Sequence, residues 1–283
     1  MAEEKQKKST FKKEADGTIA LTITIPQDDI KKAWAKQMQK AVENTTIEGF
    51  RKGKAPAKLV EKQVDTDKVR EEVLRDILPK HYSAAILEQN SKPIISPKIH
   101  IEKTEEGSDW EFTAITCEKP EVKLKDYKKA VQNITAKSKI IIPGKEEEKK
   151  DVSFDDIAKV LVEAVEVNIP QILIDGEVDR LLSNMLDEIK TLGLTLDQYL
   201  SSTGKTVEAV KQEFTEKAKQ DIILEFALQQ VAEEEKIAVE PKEIGEAIQQ
   251  AKNDDEKAHM QRNVYLLASI LRQQKTLDFL KNL

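Results

Sequence analysis

Large apolar residues alternate with small or polar ones from Thr18 to Ile25. Ile19, Leu21, Ile23 and Ile25 fall on one side, and Thr18, Thr22 and Thr24 on the other. A period of two marks a half-buried strand, and Pro26 ends it. The spacing then becomes helical. Ile30, Trp34, Met38, Ala41 and Val42 form one stripe of a helix running to about Val42, which Asp28 or Asp29 can cap. A short helix is predicted from Ala57 to Val64 and a longer one from Asp67 to Gln89. Val69, Val73, Leu74, Ile77, Tyr82, Ala85 and Ile86 line the longer one, and Pro79 inside it is expected to kink it. Ile94, Ile95, Ile99 and Ile101, then Trp110, Phe112, Ala114 and Ile115, read as two more strands around a turn at Glu105–Ser108. Strand, helix, loop, helix, strand, strand predicts an α+β module with an antiparallel sheet over residues 1–117.

The pattern then loosens. Pro120, Val122, Leu124, Tyr127, Val131 and Ile134 read as spread without a clear helical period, and Pro143-Gly144 opens a charged run to Lys150. An extended linker is expected over residues 118–150. Residues 151–283 read as an all-α domain. Ser153 is placed to cap a helix to Val165, and Pro170 opens the next, to Leu192. A short helix covers Leu194–Leu200, with Gly204 as a turn. A very long one covers Thr206–Glu235, with Val207, Val210, Phe214, Ile222, Phe226, Leu228 and Val231 apolar. Pro241 starts another, and a final helix is expected from about Glu256 to Lys281, with Val264, Leu267, Ile270, Leu271, Leu277 and Leu280 apolar.

Composition narrows the classes. Charged residues make up 35% of the 283 and aromatics 5%, which suits long solvated helices better than a compact enzyme. The net charge of -6 is unevenly spread. Residues 1–120 hold 22 Lys and Arg against 21 Asp and Glu, and residues 121–283 hold 24 against 31. Bulk charge therefore argues against a nucleic-acid binder, and any cationic site must be local. The single Cys117 builds no disulfide framework, and His81, His100 and His259 lack ligand spacing, so no metal or cofactor is expected. Met1 to Lys13 has no apolar run of the secretory kind, and no segment is long and apolar enough to span a membrane, so a cytoplasmic location is the expectation. The carboxylate pairs Asp28/Asp29, Asp155/Asp156 and Asp254/Asp255 are sequence neighbours, which do not face each other on a helix, and they read as caps or solvated charges. No phosphate-cradling glycine run or nucleophile elbow is present.

The local cationic site is Ile47-Glu48-Gly49-Phe50-Arg51-Lys52-Gly53-Lys54-Ala55-Pro56. Gly49 and Gly53 permit a tight protruding turn with Phe50, Arg51 and Lys52 at its tip. From Gly49 to Val60 there are four cations (Arg51, Lys52, Lys54, Lys58) and no acid. Such a tip suits a polyanionic surface, since Arg and Lys pair with phosphate and a ring can stack or fill a groove. Composition alone also allows an ordinary loop between two helices. The string resembles the ribosome-docking loop of the trigger factor family, whose motif Gly-Phe-Arg-x-Gly-x-x-Pro is matched by Gly49, Phe50, Arg51, Gly53 and Pro56. Lys52 matches the usual third tip residue. Ile172-Leu173-Ile174-Asp175-Gly176-Glu177 is similar to the start of that family's first substrate-binding arm, and Gln261-Arg262-Asn263-Val264 resembles its final helix.

The resemblance implies an ATP-independent chaperone docked at the tunnel exit of the large ribosomal subunit, on its protein and rRNA. Gly49, Phe50, Arg51, Lys52, Gly53 and Lys54 would be the ribosome-binding residues, and the helical arms would shield nascent or unfolded polypeptides. Weak self-association is left open. The family's prolyl-isomerase domain would follow the N-terminal module. Here the chain runs from Ile142 almost directly to Val152-Ser153-Phe154, which leaves too few residues for a domain, and no enzymatic activity is expected. Two other readings stand beside this one: a ribosome-independent helical holdase or assembly scaffold, and a peptidyl-prolyl isomerase with an unrecognised site.

Overall fold

A computed structural model describes residues 10–44, 65–105, 107–138 and 153–283. The chain divides into two units between Lys119 and Pro120.

The first unit is built on a four-stranded antiparallel sheet of order β1-β2-β4-β3. Its strands are β1 (Thr10–Lys13), β2 (Thr18–Ile25), β3 (Lys98–Lys103) and β4 (Trp110–Cys117). The β2 alternation is fully realised: Ile19, Leu21, Ile23 and Ile25 are buried and the residues between them half-buried. Register puts Ile25 opposite Trp110, Ile23 opposite Phe112 and Leu21 opposite Ala114, so both central strands send their large side chains to one face. Helices α1 (Gln27–Asn44) and α2 (Thr66–Glu88) cover that face, adding Ile30, Ala33, Val69, Val73, Ile77, Ala85 and Ile86 to the core. Each of the buried Ile and Val side chains contributes about 1.5–3 kcal/mol.

Several expectations change. β1 was not legible, because Phe11 is the one apolar residue in Thr-Phe-Lys-Lys and no alternation can be seen. Gly17, at φ 91°, closes the β1–β2 turn, and the Asp16 carboxylate accepts from the Thr18 amide and hydroxyl at 2.9 Å each. Ile94 and Ile95 stand outside β3, which begins after Pro97, and Ile94 is largely exposed. α1 starts at Gln27, whose amide donates to Asp109 Oδ1 at 3.0 Å. The first free N–H is thus satisfied from the neighbouring strand end, with Asp28 and Asp29 in the first turn. α2 is capped by Asp65 and stays a single helix through Pro79. The predicted helix at Ala57–Val64 lies outside the described residues.

Glu118 ties the edge of this unit together. Its carboxylate accepts from Lys13 Nζ at 2.6 Å, the Ser91 hydroxyl at 2.7 Å and the Lys92 amide at 2.9 Å. These bonds hold its pKa down, from 4.5 to about 2, with Lys13 the largest cause.

The second unit is mostly helical. Strands β5 (Val122–Leu124) and β6 (Val165–Val167) form an antiparallel pair beside eight helices among the described residues. These are α3 (Tyr127–Ser138), α4 (Phe154–Glu163), α5 (Gln171–Thr191), α6 (Leu196–Thr203), α7 (Val207–Glu234), α8 (Pro241–Gln249), α9 (Asp254–Arg262) and α10 (Val264–Lys281). β5 keeps residues 122–124 extended but pairs them into this unit, and α3 overturns the extended reading of the linker at residues 127–138. Tyr127, Val131 and Ile134 already carried the i, i+4, i+7 helical spacing. Grouping them with the irregular residues from Pro120 to Leu124 hid it.

Two apolar clusters hold this unit. One joins Tyr127 and Val131 of α3, Ile157 and Leu161 of α4, Leu228 and Val231 of α7, and Leu280 of α10. The other seats Ile174 and Val178 of α5 on Ala218, Ile222 and Phe226 of α7. α7 has 28 residues and is therefore about 42 Å long, enough to serve both clusters. Ser153 caps α4, and its hydroxyl accepts from the Asp156 amide at 3.2 Å. Thr195 forms a capping box with Gln198, and Gly204 at φ 66° closes α6. The last predicted helix is two helices. Asn263, at φ −116° and ψ 41°, ends α9 and precedes α10, and its side-chain amide donates to the His259 carbonyl at 3.0 Å.

Four helices end in the same motif. Asn90 (φ 50°), Gly193 (φ 71°), Gly204 (φ 66°) and Lys236 (φ 54°) take the left-handed position after α2, α5, α6 and α7. In each, the next amide reaches back to a carbonyl in the helix: Ser91 to Ile86, Leu194 to Ile189, Lys205 to Leu200 and Ile237 to Ala232. Lys236 is the costly member, since its Cβ meets the strain that Gly193 avoids.

Candidate functional site: apolar faces of the helical unit

The sequence placed the site at Gly49, Phe50, Arg51, Lys52, Gly53 and Lys54, all of which lie outside the described residues. Their frame is described. α1 and α2 pack antiparallel, with Lys36 Nζ 2.9 Å from Asp76 and His81 Nε2 3.6 Å from Asp29. Asn44 and Asp65, the described residues on either side of the segment, therefore sit at the same end of this pair. At 1.5 Å per residue, the 18-residue α1 carries that end about 25 Å from the β2–α1 junction. Lys31, Lys32, Lys36 and Lys40 line the exposed side of α1.

In the second unit, apolar side chains outnumber the places that bury them. Leu192 (72% exposed) and Leu194 lie in the connection between α5 and α6, Val207 opens α7, and Leu186 is exposed on α5. Val207, one of the apolar residues noted in the long helix, is 54% exposed, and it is the first residue of α7. The second patch is on α10. Leu266, Ile270, Leu277 and Leu280 fall within one helical stripe. Leu280 is fully buried and Leu277 packs against the core, yet Leu266 and Ile270 are 57% and 51% exposed. The core ends partway along the helix, and the stripe does not. Tyr265, 94% exposed, stands beside it.

Between α7 and α10 lies a cleft of about 440 Å³. Leu228, Ala232, Ile237, Val239 and Ala268 make its apolar walls, Tyr265 stands at its edge, and Arg272 and Gln273 supply polar groups. The Arg272 Nε donates to the Ile237 carbonyl at 2.9 Å, and Lys275 Nζ donates to the Ala238 carbonyl at 2.8 Å and pairs with Glu243. These bonds fix residues 237–238, which follow the left-handed Lys236. The site was missed in sequence because its walls are ordinary aliphatic residues from two distant helices and the segment after α7, which carry no motif.

Nothing resembling catalytic chemistry is assembled among the described residues. Asp28/Asp29, Asp155/Asp156 and Asp254/Asp255 each sit in the first turn of a helix, facing its positive end. Cys117 is fully buried, and burial, helped by Asp16, pushes its thiol up to about 11, so it is a poor nucleophile. No group of three or more His, Cys, Asp or Glu that could hold a metal occurs among the described residues. No described helix is long and apolar enough to cross a membrane.

Comparison with known proteins sets these surfaces in a family. The family model "Bacterial trigger factor protein (TF)" matches residues 7–152, and "Bacterial trigger factor protein (TF) C-terminus" matches residues 128–282. The trigger factor of Lactococcus lactis subsp. lactis is 35% identical over 173 residues, covering 60% of this chain and 40% of that protein. That of Streptococcus mutans is 34% identical over 174 residues, covering 60% and 40%. That of Streptococcus pneumoniae is 28% identical over 214 residues, covering 71% and 50%. The chain thus spans half or less of the length of these curated relatives. A solved trigger factor chaperone chain superposes with a TM-score of 0.60 at 14% identity, covering 97% of this chain and 99% of that one, a likeness of fold. With both family models each matching more than half of its residues, the chain belongs to the trigger factor family.

Proposed function

We propose that this chain is an ATP-independent chaperone that docks on the large ribosomal subunit at the tunnel exit and shields nascent or unfolded polypeptides. The observation that carries the client-binding half is the α10 stripe that leaves Leu266 and Ile270 bare beside an apolar cleft. A few hundred Å² of such surface gives several kcal/mol before ordering costs, at about 25 cal/mol per Å². That suits weak, renewable binding without sequence rules. The solved structural neighbour is described as a chaperone with promiscuous substrate recognition in folding and assembly, which agrees with this reading.

The docking half rests on Gly49, Phe50, Arg51, Lys52, Gly53 and Lys54. In this assignment residues 1–117 form the ribosome-binding domain. Residues 151–283 form the client-binding domain, to which β5 contributes by pairing with β6. The protein acts in the cytoplasm, and it has no prolyl-isomerase activity. Both parts are measurable. Replacing Phe50, Arg51 and Lys52 by Ala abolishes cosedimentation with ribosomes and leaves the helical fold intact. Binding by the parent protein weakens with salt at a slope of about three or four phosphate contacts. Unchanged cosedimentation of the triple variant refutes the docking assignment and favours a ribosome-independent holdase. Turnover of a proline-peptide substrate above background refutes the non-enzymatic assignment.

A further inference from the structure

We propose that the α7–α10 cleft selects unfolded segments in which an acidic residue stands beside large apolar ones, with Arg272 taking the carboxylate. This rests on the client-binding reading above and names what that surface prefers. The argument starts from an unneutralised charge. Arg272 is half-buried in the cleft wall, and its Nε is held by the Ile237 carbonyl. That bond fixes the plane of the guanidinium. Among the described residues no carboxylate pairs with its Nη1 and Nη2 groups, and none lines the cleft. The neighbouring cation differs: Lys275 is neutralised by Glu243 at 2.8 Å. Along α10 itself Arg272, Lys275 and Lys281 face a single acid, Asp278. A planar fork already fixed on one edge presents its remaining N–H groups ready for a carboxylate, and loses little freedom on binding one.

The walls identify what bears that carboxylate. Ala232, Ala268, Val239 and Leu228 leave room for an apolar side chain, and Leu266 and Ile270 continue the apolar surface on an adjoining side of α10. A ligand that uses both must be a chain running past the cleft, so the acid is an internal Asp or Glu of an unfolded polypeptide. This preference opposes the acidic balance of residues 121–283 and cannot follow from bulk charge.

The test uses the full chain and fluorescence anisotropy with three labelled peptides, acetylated and amidated. They are identical and Leu/Phe-rich apart from a central Glu, Gln or Lys. The Glu peptide binds about five- to tenfold more tightly than the Gln peptide. Arg272→Gln removes that difference. Because Arg272→Gln also removes the bond to Ile237, a second variant, Ser269→Glu, leaves Arg272 in place and supplies a competing carboxylate from the cleft wall, three residues back on α10. It weakens the Glu peptide selectively. Equal binding of Glu and Gln peptides to the parent chain overturns the acid preference and leaves the client-binding reading intact. A preference retained in both variants removes Arg272 from the role. Failure to bind any peptide, together with failure to suppress aggregation of an unfolded protein, sinks the underlying reading as well.

Discussion

The Tyr127 hydroxyl donates a 2.8 Å hydrogen bond to the Glu235 carboxylate, 108 residues further along the chain. Lys128 Nζ reaches the same oxygen at 2.6 Å. Glu235 is the C-cap of α7, so this pair fastens the start of α3 to the far end of the longest described helix. The Tyr127 ring is buried in the same cluster that holds Leu161 and Leu280, and burial together with Glu235 raises the pKa of its phenol. Tyr127→Phe keeps the packing and removes the bond. Glu235 retains Lys128 and stays partly solvated, so the expected loss is about 1 kcal/mol. Urea unfolding followed by circular dichroism measures it; a change under about 0.3 kcal/mol would show the bond to be idle.

Glu118 sets an acid limit on the first unit. Its folded-state pKa of about 2 lies below the ordinary 4.5, so its contribution is fully present above pH 4.5 and disappears as pH falls from there towards 2. Allowing for screening at the half-exposed Lys13, that contribution is about 2 kcal/mol. Glu118→Gln is therefore less stable than the parent at pH 6, and the two converge near pH 2. A constant gap across this window would contradict the assignment.

Lys236 holds a left-handed backbone position at φ 54° that glycine adopts without strain. Lys236→Gly is expected to stabilise the second unit by about 0.5 kcal/mol. Roughly 1 kcal/mol of relieved strain is partly offset by the lost attraction of a cation to the α7 C-terminus. Thermal unfolding of the two proteins side by side decides the sign, and destabilisation would contradict the strain argument.

The sheet was legible because β2 and β4 are central strands with one buried face, and that geometry forces alternation on Ile19–Ile25 and Trp110–Ala114. Edge strands are under no such constraint, and so Thr10–Lys13 left no trace in the pattern. Ser153 was read as a cap because capping is local chemistry; Thr195 and Thr206, placed within predicted helices, are caps of the same kind. The start of α1 was misjudged for the opposite reason: its partner, Asp109, is 82 residues away. α9 and α10 were read as one helix since Asn263 is a mild breaker and no Gly or Pro announces the turn. The expected site at Gly49–Lys54 rests on a sequence motif, and its residues lie outside those described. The α7–α10 cleft is a relation between distant faces, written in residues as plain as Ala232 and Ala268. Whether an apolar residue such as Leu266 is core or surface depends on where neighbouring helices stop, and no window of sequence contains that.

α10 lives two lives along one axis. Its last turns are moored and intolerant, and hollowing out Leu280 there would cost about 3 kcal/mol. Its opening turns carry no such burden, so Leu266 and Ile270 can be exchanged freely by drift or by design. On the proposed client-binding role, such exchanges would alter what is held without renegotiating the protein's own architecture.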